Sequence, residues 1–315
     1  MKPSEKYQKG PDTPYKQEHY RYVLTQLLAI YGAIRNKYGS KNPVFLWDLY
    51  AGPGRTDGLD GEAGSPLIAC ELALKQSYPI KLHFYEANPS DAALLRENLS
   101  KPPYCNADFV VHEASNQSVL EILGRDRRHP SVYGLVYADP SNADLNGFDS
   151  IFAAFAIKYP RVDLLLNYAA ASYKRKVKFK DYKSLQDRLN PIRKEKWFIR
   201  EPIKQQQWTM LLGTNFNGLK PEEKKHWHDV GESVGKRLFL EVNYTAEQKG
   251  LLHNLGLFLT EQINETQPEL FPTEKLARKF KLKCPGCSEC HSKWTFRSDL
   301  LICGYCGNCI KITER

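Results

Sequence analysis

The chain has 315 residues, of which 42% are hydrophobic and 26% charged. At about 150 residues per domain this suggests roughly two units with apolar residues enough for a core, and excludes a chain disordered over most of its length. The formal net charge of +9 points to an anionic partner, most often nucleic acid, although a solvated basic face gives the same total.

Residues 1–13 are polar, with Pro3, Gly10 and Pro11, and read as a flexible tail. From Pro14 to Tyr38 the spacing of Tyr20, Val23, Leu27, Ile30, Tyr31 and Ile34 predicts a helix with one apolar face. A strand and helix alternation follows, the pattern of an α/β chain with a mostly parallel, doubly wound sheet. The strands are expected at Val44–Leu49, Lys81–Glu86, Asp108–His112, Val132–Ala138 and Val162–Tyr168, and the helices at Ser65–Gln76, Ser90–Leu99, Asn116–Gly124 and Gly147–Ile157. After Tyr168 the alternation gives way to a basic insertion over residues 173–204, then a helix from Pro221 to Lys236. Two strand-like runs, Arg237–Asn243 and Asn254–Thr260, would close the sheet. Residues 14–262 thus form the main domain, and 263–283 a linker with Pro268, Pro272 and a short basic helix, Glu274–Lys281. Apolar runs such as Leu164–Leu166 and Leu255–Leu259 fall far short of the roughly 18 residues that span a bilayer, and the Lys/Pro/Tyr-rich start lacks an apolar signal core, so a cytoplasmic protein is expected.

The first strand runs into Asp48-Leu49-Tyr50-Ala51-Gly52-Pro53-Gly54, an acid followed by a tight turn of small residues. Such a turn lets backbone N–H groups approach a ligand, and a following helix end favours its negative groups. It is neither G-x-G-x-x-G nor a P-loop. An acid before A-G-x-G resembles the first motif of S-adenosylmethionine-dependent methyltransferases of the Rossmann-like class. That likeness implies cofactor contacts from Asp48, Ala51, Gly52 and Gly54. The second strand ends in Glu86, where a carboxylate can accept both hydroxyls of a ribose, and Ser115 follows the third strand at the place where adenine is usually held. The fourth ends in Ala138-Asp139-Pro140-Ser141-Asn142. Enzymes that methylate amino groups of nucleic acids carry an acid or amide and then Pro here, but their further Pro and aromatic residue are replaced by Ser141 and Asn142. Asp139 and Pro140 are the expected catalytic pair, with Tyr168, at the end of the fifth strand, as a stacking face; a strand-ending acid and a core tyrosine are the bland alternatives.

Several blocks together resemble the three-Cys-motif partner protein family: the helix around Tyr20–Tyr31, the D-L-Y-A-G-P-G turn with Gly64-Ser65-Pro66-Leu67-Ile68-Ala69, Glu86, Tyr137-Ala138-Asp139-Pro140, and Leu164-Leu165-Leu166-Asn167-Tyr168. The likeness covers about Tyr15 to Gln262. It implies a Rossmann-like class I methyltransferase fold, S-adenosylmethionine as cofactor, and a protein partner of radical-enzyme type.

Six of the eight cysteines lie between Cys284 and Cys309, while Cys70 and Cys105 are isolated. Cys284-x2-Cys287-x2-Cys290-His291 precedes Cys303-x2-Cys306-x2-Cys309, and fifteen residues separate either matched pair, which fits tetrahedral zinc in two registers. The preferred set is Cys284, Cys287, Cys303 and Cys306, because Pro285-Gly286, Gly304 and Gly307 suit thiolate knuckles, with Lys293–Ile302 as β-prone chain between them. Residues 284–315 are therefore expected to form a small zinc ribbon, with an iron–sulfur cluster as competitor.

From Lys174 to Lys204 twelve Lys/Arg stand against four acids, interleaved with Tyr173, Phe179, Tyr182, Trp197 and Phe198. Bases release counterions from phosphates, and rings stack on unpaired bases. Lys174, Arg175, Lys176, Lys178, Arg193, Lys194 and Lys196 are the expected nucleic-acid contacts. The sequence as a whole favours methylation of RNA or DNA. A non-catalytic binding module serving a partner in a modification or defence cassette stays open, as does methylation of a protein or small molecule.

Overall fold

A computed structural model describes residues 13–56, 61–115, 118–125, 132–140, 148–169, 185–201, 208–216 and 226–243, together with the backbone of five short strands between 282 and 311. The chain divides into two compact units, the first comprising Met1–Ala169, Pro191–Trp197 and Met210–Lys220, the second the remainder.

In the first unit α1 (Thr13–Tyr38) buries Tyr20, Val23, Leu24, Leu27, Leu28 and Tyr31, one stripe at helical spacing. The sheet is built from β1 (Val44–Asp48), β2 (Ile80–Glu86), β3 (Asp108–Glu113), β4 (Gly134–Ala138) and β5 (Val162–Ala169), separated by α2 (Ser65–Leu74), α3 (Pro89–Leu99), α4 (Ser118–Arg125) and α5 (Phe148–Lys158). All residues of β1 and β4 are buried, as apolar runs covered on both faces must be. β1 pairs in parallel with β2 and β4, β2 with β3, and β4 with β5. The expected helices and strands up to Ala169 thus form, with ends shifted by a few residues. The order is β3-β2-β1-β4-β5, continued by β7 (Trp208–Thr214) and β6 (Lys196–Arg200). It reverses direction between β1 and β4, and in open α/β sheets the crevice at such a point, beyond the carboxyl ends of the strands, is where ligands bind.

β6 forms inside the basic insertion expected over 173–204, and β7 in the stretch after it, where no element was expected. Inside the charged run, Trp197 of β6 is buried, and its ring lies so close to Gly213 of β7 that a Cβ there would meet it at 2.7 Å. In the second unit, Phe198–Arg200 of β6 pairs antiparallel with β8 (Trp227–Asp229), and the Glu201 carboxylate accepts from His226 Nδ1 and His228 Nε2 at 3.1 and 2.8 Å. A short α6 (Leu185–Leu189) and α7 (Ser233–Asn243) complete its described helices. Here the expectation is corrected in part: of the helix predicted over Pro221–Lys236, residues 221–225 lie outside the described residues, Trp227–Asp229 is β8 and Ser233–Lys236 is helical, while Arg237–Asn243, predicted as a strand, continues that helix and buries Leu238, Phe239 and Val242. The run at 254–260, the helix at 274–281 and the tail at 1–12 lie outside the described residues.

The carboxyl-terminal backbone forms β9 (Leu282–Lys283) antiparallel to β10 (Cys290–His291), and an antiparallel sheet of β11 (Trp294–Arg297), β12 (Leu300–Cys303) and β13 (Cys309–Lys311).

Candidate functional site

Three carboxylates stand at the ends of the three adjacent strands β2, β1 and β4, on either side of the switch point: Glu86, Asp48 and, one residue past its strand, Asp139. Between them runs the glycine turn. Leu49 N donates to Tyr137 O and Ala51 N to Tyr85 O, both at 3.0 Å, so the chain leaving β1 stays tied to its two neighbours. Gly52 and Gly54 then adopt φ of +63° and +83°, a left-handed backbone that glycine enters freely. A Cβ on Gly54 would stand 2.9 Å from Leu95 Cδ1. Asn98 of α3 donates to Pro53 O at 2.9 Å and Gly64 N to Gly54 O at 2.7 Å, fixing the turn from both sides.

Glu86 is buried and organises the turn. One oxygen accepts from Gly52 N at 3.0 Å and the other from Asn88 N at 2.8 Å. Asn88 in turn caps α3, accepting from Ser90 N at 3.0 Å ahead of Pro89 at the first helical position.

Asp48 accepts from Ser65 Oγ at 2.6 Å and Tyr50 N at 3.1 Å. Burial pushes its carboxyl up to about 7; the hydrogen bonds from Ser65 and Tyr50 pull it down, while the charges of Asp139 and Glu86 add to the rise. Burial also raises the hydroxyls of Tyr20 and Tyr137 well above the usual tyrosine range, reinforced by Asp48 for Tyr20 and by Asp139 and Asp48 for Tyr137. The two rings lie against each other, centroids 4.3 Å apart, and join α1 to β4 beneath the carboxylates.

Asp139 is met by three donors. Lys16 Nζ of α1 lies 3.3 Å from Oδ1, Asn167 Nδ2 donates to the same oxygen, and the Tyr137 hydroxyl bonds to the carboxylate. The Asn167 contact follows from register: Ala138 pairs with Leu166, which sets Asp139 beside Asn167. Pro140 is buried next to it.

Of the residues singled out from sequence, Asp48, Ala51, Gly52, Gly54, Glu86, Asp139 and Pro140 come together at this edge. Ser115 is exposed at the end of β3, its Oγ 3.4 Å from Ser118 Oγ at the start of α4. Tyr168 is fully buried and presents no ring face to a base. Lys16, Ser65, Asn98 and Asn167 also belong to the edge; Ser65 lies in the G-S-P-L block and Asn167 in the Leu164–Tyr168 block, while Lys16 and Asn98 carried no motif.

Among the expected nucleic-acid contacts, Lys174, Arg175, Lys176 and Lys178 lie outside the described residues. Arg193 is exposed and Lys196 half-buried. Lys194 departs from the expectation: it is 8% exposed, with Nζ 3.1 Å from Pro160 O and 2.5 Å from Val162 O, so its ammonium faces the protein interior. Burial lowers it to about 8, against the opposing pull of Asp163. Of the expected metal ligands, Cys303 ends β12; Cys284, Cys287 and Cys306 lie outside the described residues. No helix among the described residues is long and apolar enough to cross a membrane.

No protein-family model and no curated protein matches the chain. Solved structures do. A Legionella pneumophila protein, LPL1258, shares 16% identity with a TM-score of 0.43, over 62% of this chain and 83% of its own. The METTL16 MTase domain shares 10% identity with a TM-score of 0.42, over 63% of this chain and 67% of that domain. A SAM-dependent methyltransferase from Agrobacterium tumefaciens shares 10% identity with a TM-score of 0.37, over 66% of this chain and 63% of its own.

Proposed function

We propose that the first unit binds S-adenosylmethionine at the carboxyl edge of its sheet and directs the methyl group to a nitrogen of RNA or DNA. The observation that carries this reading is the convergence of Asp48, Glu86 and Asp139 around a glycine turn whose amide Glu86 holds. Three carboxylates favour a cationic ligand, and the residues present fit this one. The Glu86 carboxylate at the end of β2 suits the two ribose hydroxyls, Asp48 suits the ammonium, and the turn gives backbone close approach. When bound, the cofactor supplies an electrophilic methyl group on a sulfonium sulfur.

The chain's own part is positioning. Asp139 accepts an N–H of the nucleophile beside the Pro140 carbonyl and takes the proton released when the N–C bond forms. Nucleic acid as substrate class is supported by the charge of the 174–204 segment, of which exposed Arg193 and half-buried Lys196 belong to the first unit.

In the carboxyl-terminal module we place one structural zinc on Cys284, Cys287, Cys303 and Cys306. Support comes from the two C-x2-C spacings and from the backbone pairs Lys283 with Cys290 and Ile302 with Cys309, each of which brackets one cysteine pair in sequence.

One observation favours a second reading, a cofactor-binding module that serves a partner protein of radical-enzyme type without transferring methyl: Asp139 is already paired with Lys16, Asn167 and Tyr137. Calorimetry with S-adenosylmethionine, together with a labelled-methyl assay over total RNA, DNA and protein, separates the two. Transfer to nucleic acid that is lost in Asp139→Ala supports the enzyme. Binding without transfer supports the module, and absence of binding rejects both.

A further inference from the structure

Asn167 is 1% exposed, and its Oδ1 has no hydrogen-bond partner. Its orientation is fixed chemically. Nδ2 donates to Asp139 Oδ1, and the flipped amide would set oxygen against a carboxylate, so Nδ2 and not Oδ1 is the atom that meets Asp139. Buried acceptors are rarely left unmet, since an unmade hydrogen bond there forfeits the full cost of desolvation. The orphan stands at the carboxyl end of β5, beside Asp139, where a nitrogen donor already reaches the same carboxylate in the form of Lys16.

Resting on the methyltransferase reading above, we propose that Asn167 Oδ1 is a second acceptor for the nucleophile, so that the substrate is a primary amino group, the exocyclic amine of a nucleobase. Such a group carries two N–H bonds. One meets Asp139 and the other Asn167, which turns the nitrogen lone pair toward the methyl donor. The N–C bond forms as the S–C bond breaks, S-adenosylhomocysteine leaves, and the proton bound toward Asp139 passes to its carboxylate. A hydroxyl or a ring nitrogen with a single N–H would leave one of the two acceptors unmet.

The test uses the full chain, labelled S-adenosylmethionine and total RNA or DNA, digested to nucleosides and resolved by mass spectrometry. The wild type is expected to give a nucleoside methylated on its exocyclic nitrogen. Asn167→Leu, similar in volume, is expected to lower kcat at least about tenfold while calorimetry gives cofactor affinity within about twofold of the wild type. Asn167→Asp keeps an acceptor in place but sets two carboxyls side by side. They share a proton, so its activity is expected to survive only on the acid limb, with a pH optimum below that of the wild type. This variant decides the matter if Asn167→Leu does not fold. Methylation on oxygen or carbon overturns this proposal together with the nitrogen target named above, whereas methylation on a ring nitrogen overturns this proposal and leaves the methyltransferase reading standing. So does wild-type kcat in Asn167→Leu, loss of cofactor affinity in that folded variant, or an unshifted pH profile in Asn167→Asp. A wild-type chain that binds no S-adenosylmethionine overturns the reading itself, and this proposal with it.

Discussion

Gly52 N donates to Glu86 Oε2 at 3.0 Å, across 34 residues of sequence, so the turn after β1 and the acid closing β2 act as one piece. The bond explains why the acid is buried: it is an acceptor for the turn and for Asn88 before it is anything for a ligand. Glu86→Gln keeps one acceptor and turns the other into a donor facing a backbone N–H. A hydrogen bond to a charged group is worth about 1.5–3 kcal/mol, and a loss of that order is expected in urea denaturation. Cofactor affinity by calorimetry should fall at least about tenfold. Unchanged affinity would remove Glu86 from the ribose site.

The turn has no room for a side chain at Gly54. Alanine there must hold φ at +83° and push Leu95 Cδ1 from 2.9 Å. A non-glycine residue in such backbone costs on the order of 1–3 kcal/mol, and a lower Tm of matching size is expected. Adding Leu95→Ala should relieve the clash but not the backbone strain, so the double variant should remain less stable than Leu95→Ala alone.

Asp48 makes stability depend on pH in the direction opposite to a paired surface carboxylate. Its folded value of about 7 exceeds the ordinary 3.8, so between those limits the folded chain holds a proton that the unfolded chain has lost. Stability therefore falls as pH rises from about 4 to about 7 and levels off above that. A pH series of denaturant midpoints should show this slope, and Asp48→Asn should flatten it. Because a cationic ligand favours the ionised carboxylate, S-adenosylmethionine affinity is expected to rise through the same window. An affinity independent of pH there would separate Asp48 from the ammonium.

Much of this was legible in sequence because β1 and β4 are short apolar strands closed by Asp48 and Asp139 and β5 carries the apolar run Leu164–Leu166 just before Asn167, and parallel strands buried on both faces leave that trace. The run Arg237–Asn243 misled for the same reason: Leu238, Phe239 and Val242 suit a strand, yet they also lie on one side of a helix. β6 was hidden by charge, because Lys196 and Arg200 flank an apolar core of Trp197, Phe198 and Ile199 that only pairing with neighbours makes a strand. The role of Asn167 depends on the register of Ala138 with Leu166, a relation between segments 28 residues apart that no local pattern contains.

Lys194 gives a contrast within the basic segment. Its ammonium meets the Pro160 and Val162 carbonyls near buried Asp163. Lys194→Ala removes the charged donor from the Pro160 and Val162 carbonyls, and a hydrogen bond from a charged group is worth about 1.5–3 kcal/mol, so denaturation should register a loss of this order. Because Lys194 is depressed to about 8 from 10.5, the folded chain sheds its proton before the unfolded one does. Its contribution to stability is therefore greatest above about pH 10.5 and is lost as pH falls through 8.

Nucleic-acid binding should divide the same residues differently. Each base that neutralises a phosphate steepens the salt dependence of affinity by roughly 0.9 in log–log slope. Arg193→Ala and Lys196→Ala should each flatten that slope by up to about one in filter binding with duplex and single-stranded oligonucleotides, without large loss of Tm. Lys194→Ala should leave the slope as it was, since a cation turned inward releases no counterion. If Lys194→Ala flattens the slope as strongly as Arg193→Ala while the fold is retained, the buried lysine must turn outward on binding, and β6 must then move away from the Pro160–Val162 carbonyls to present it.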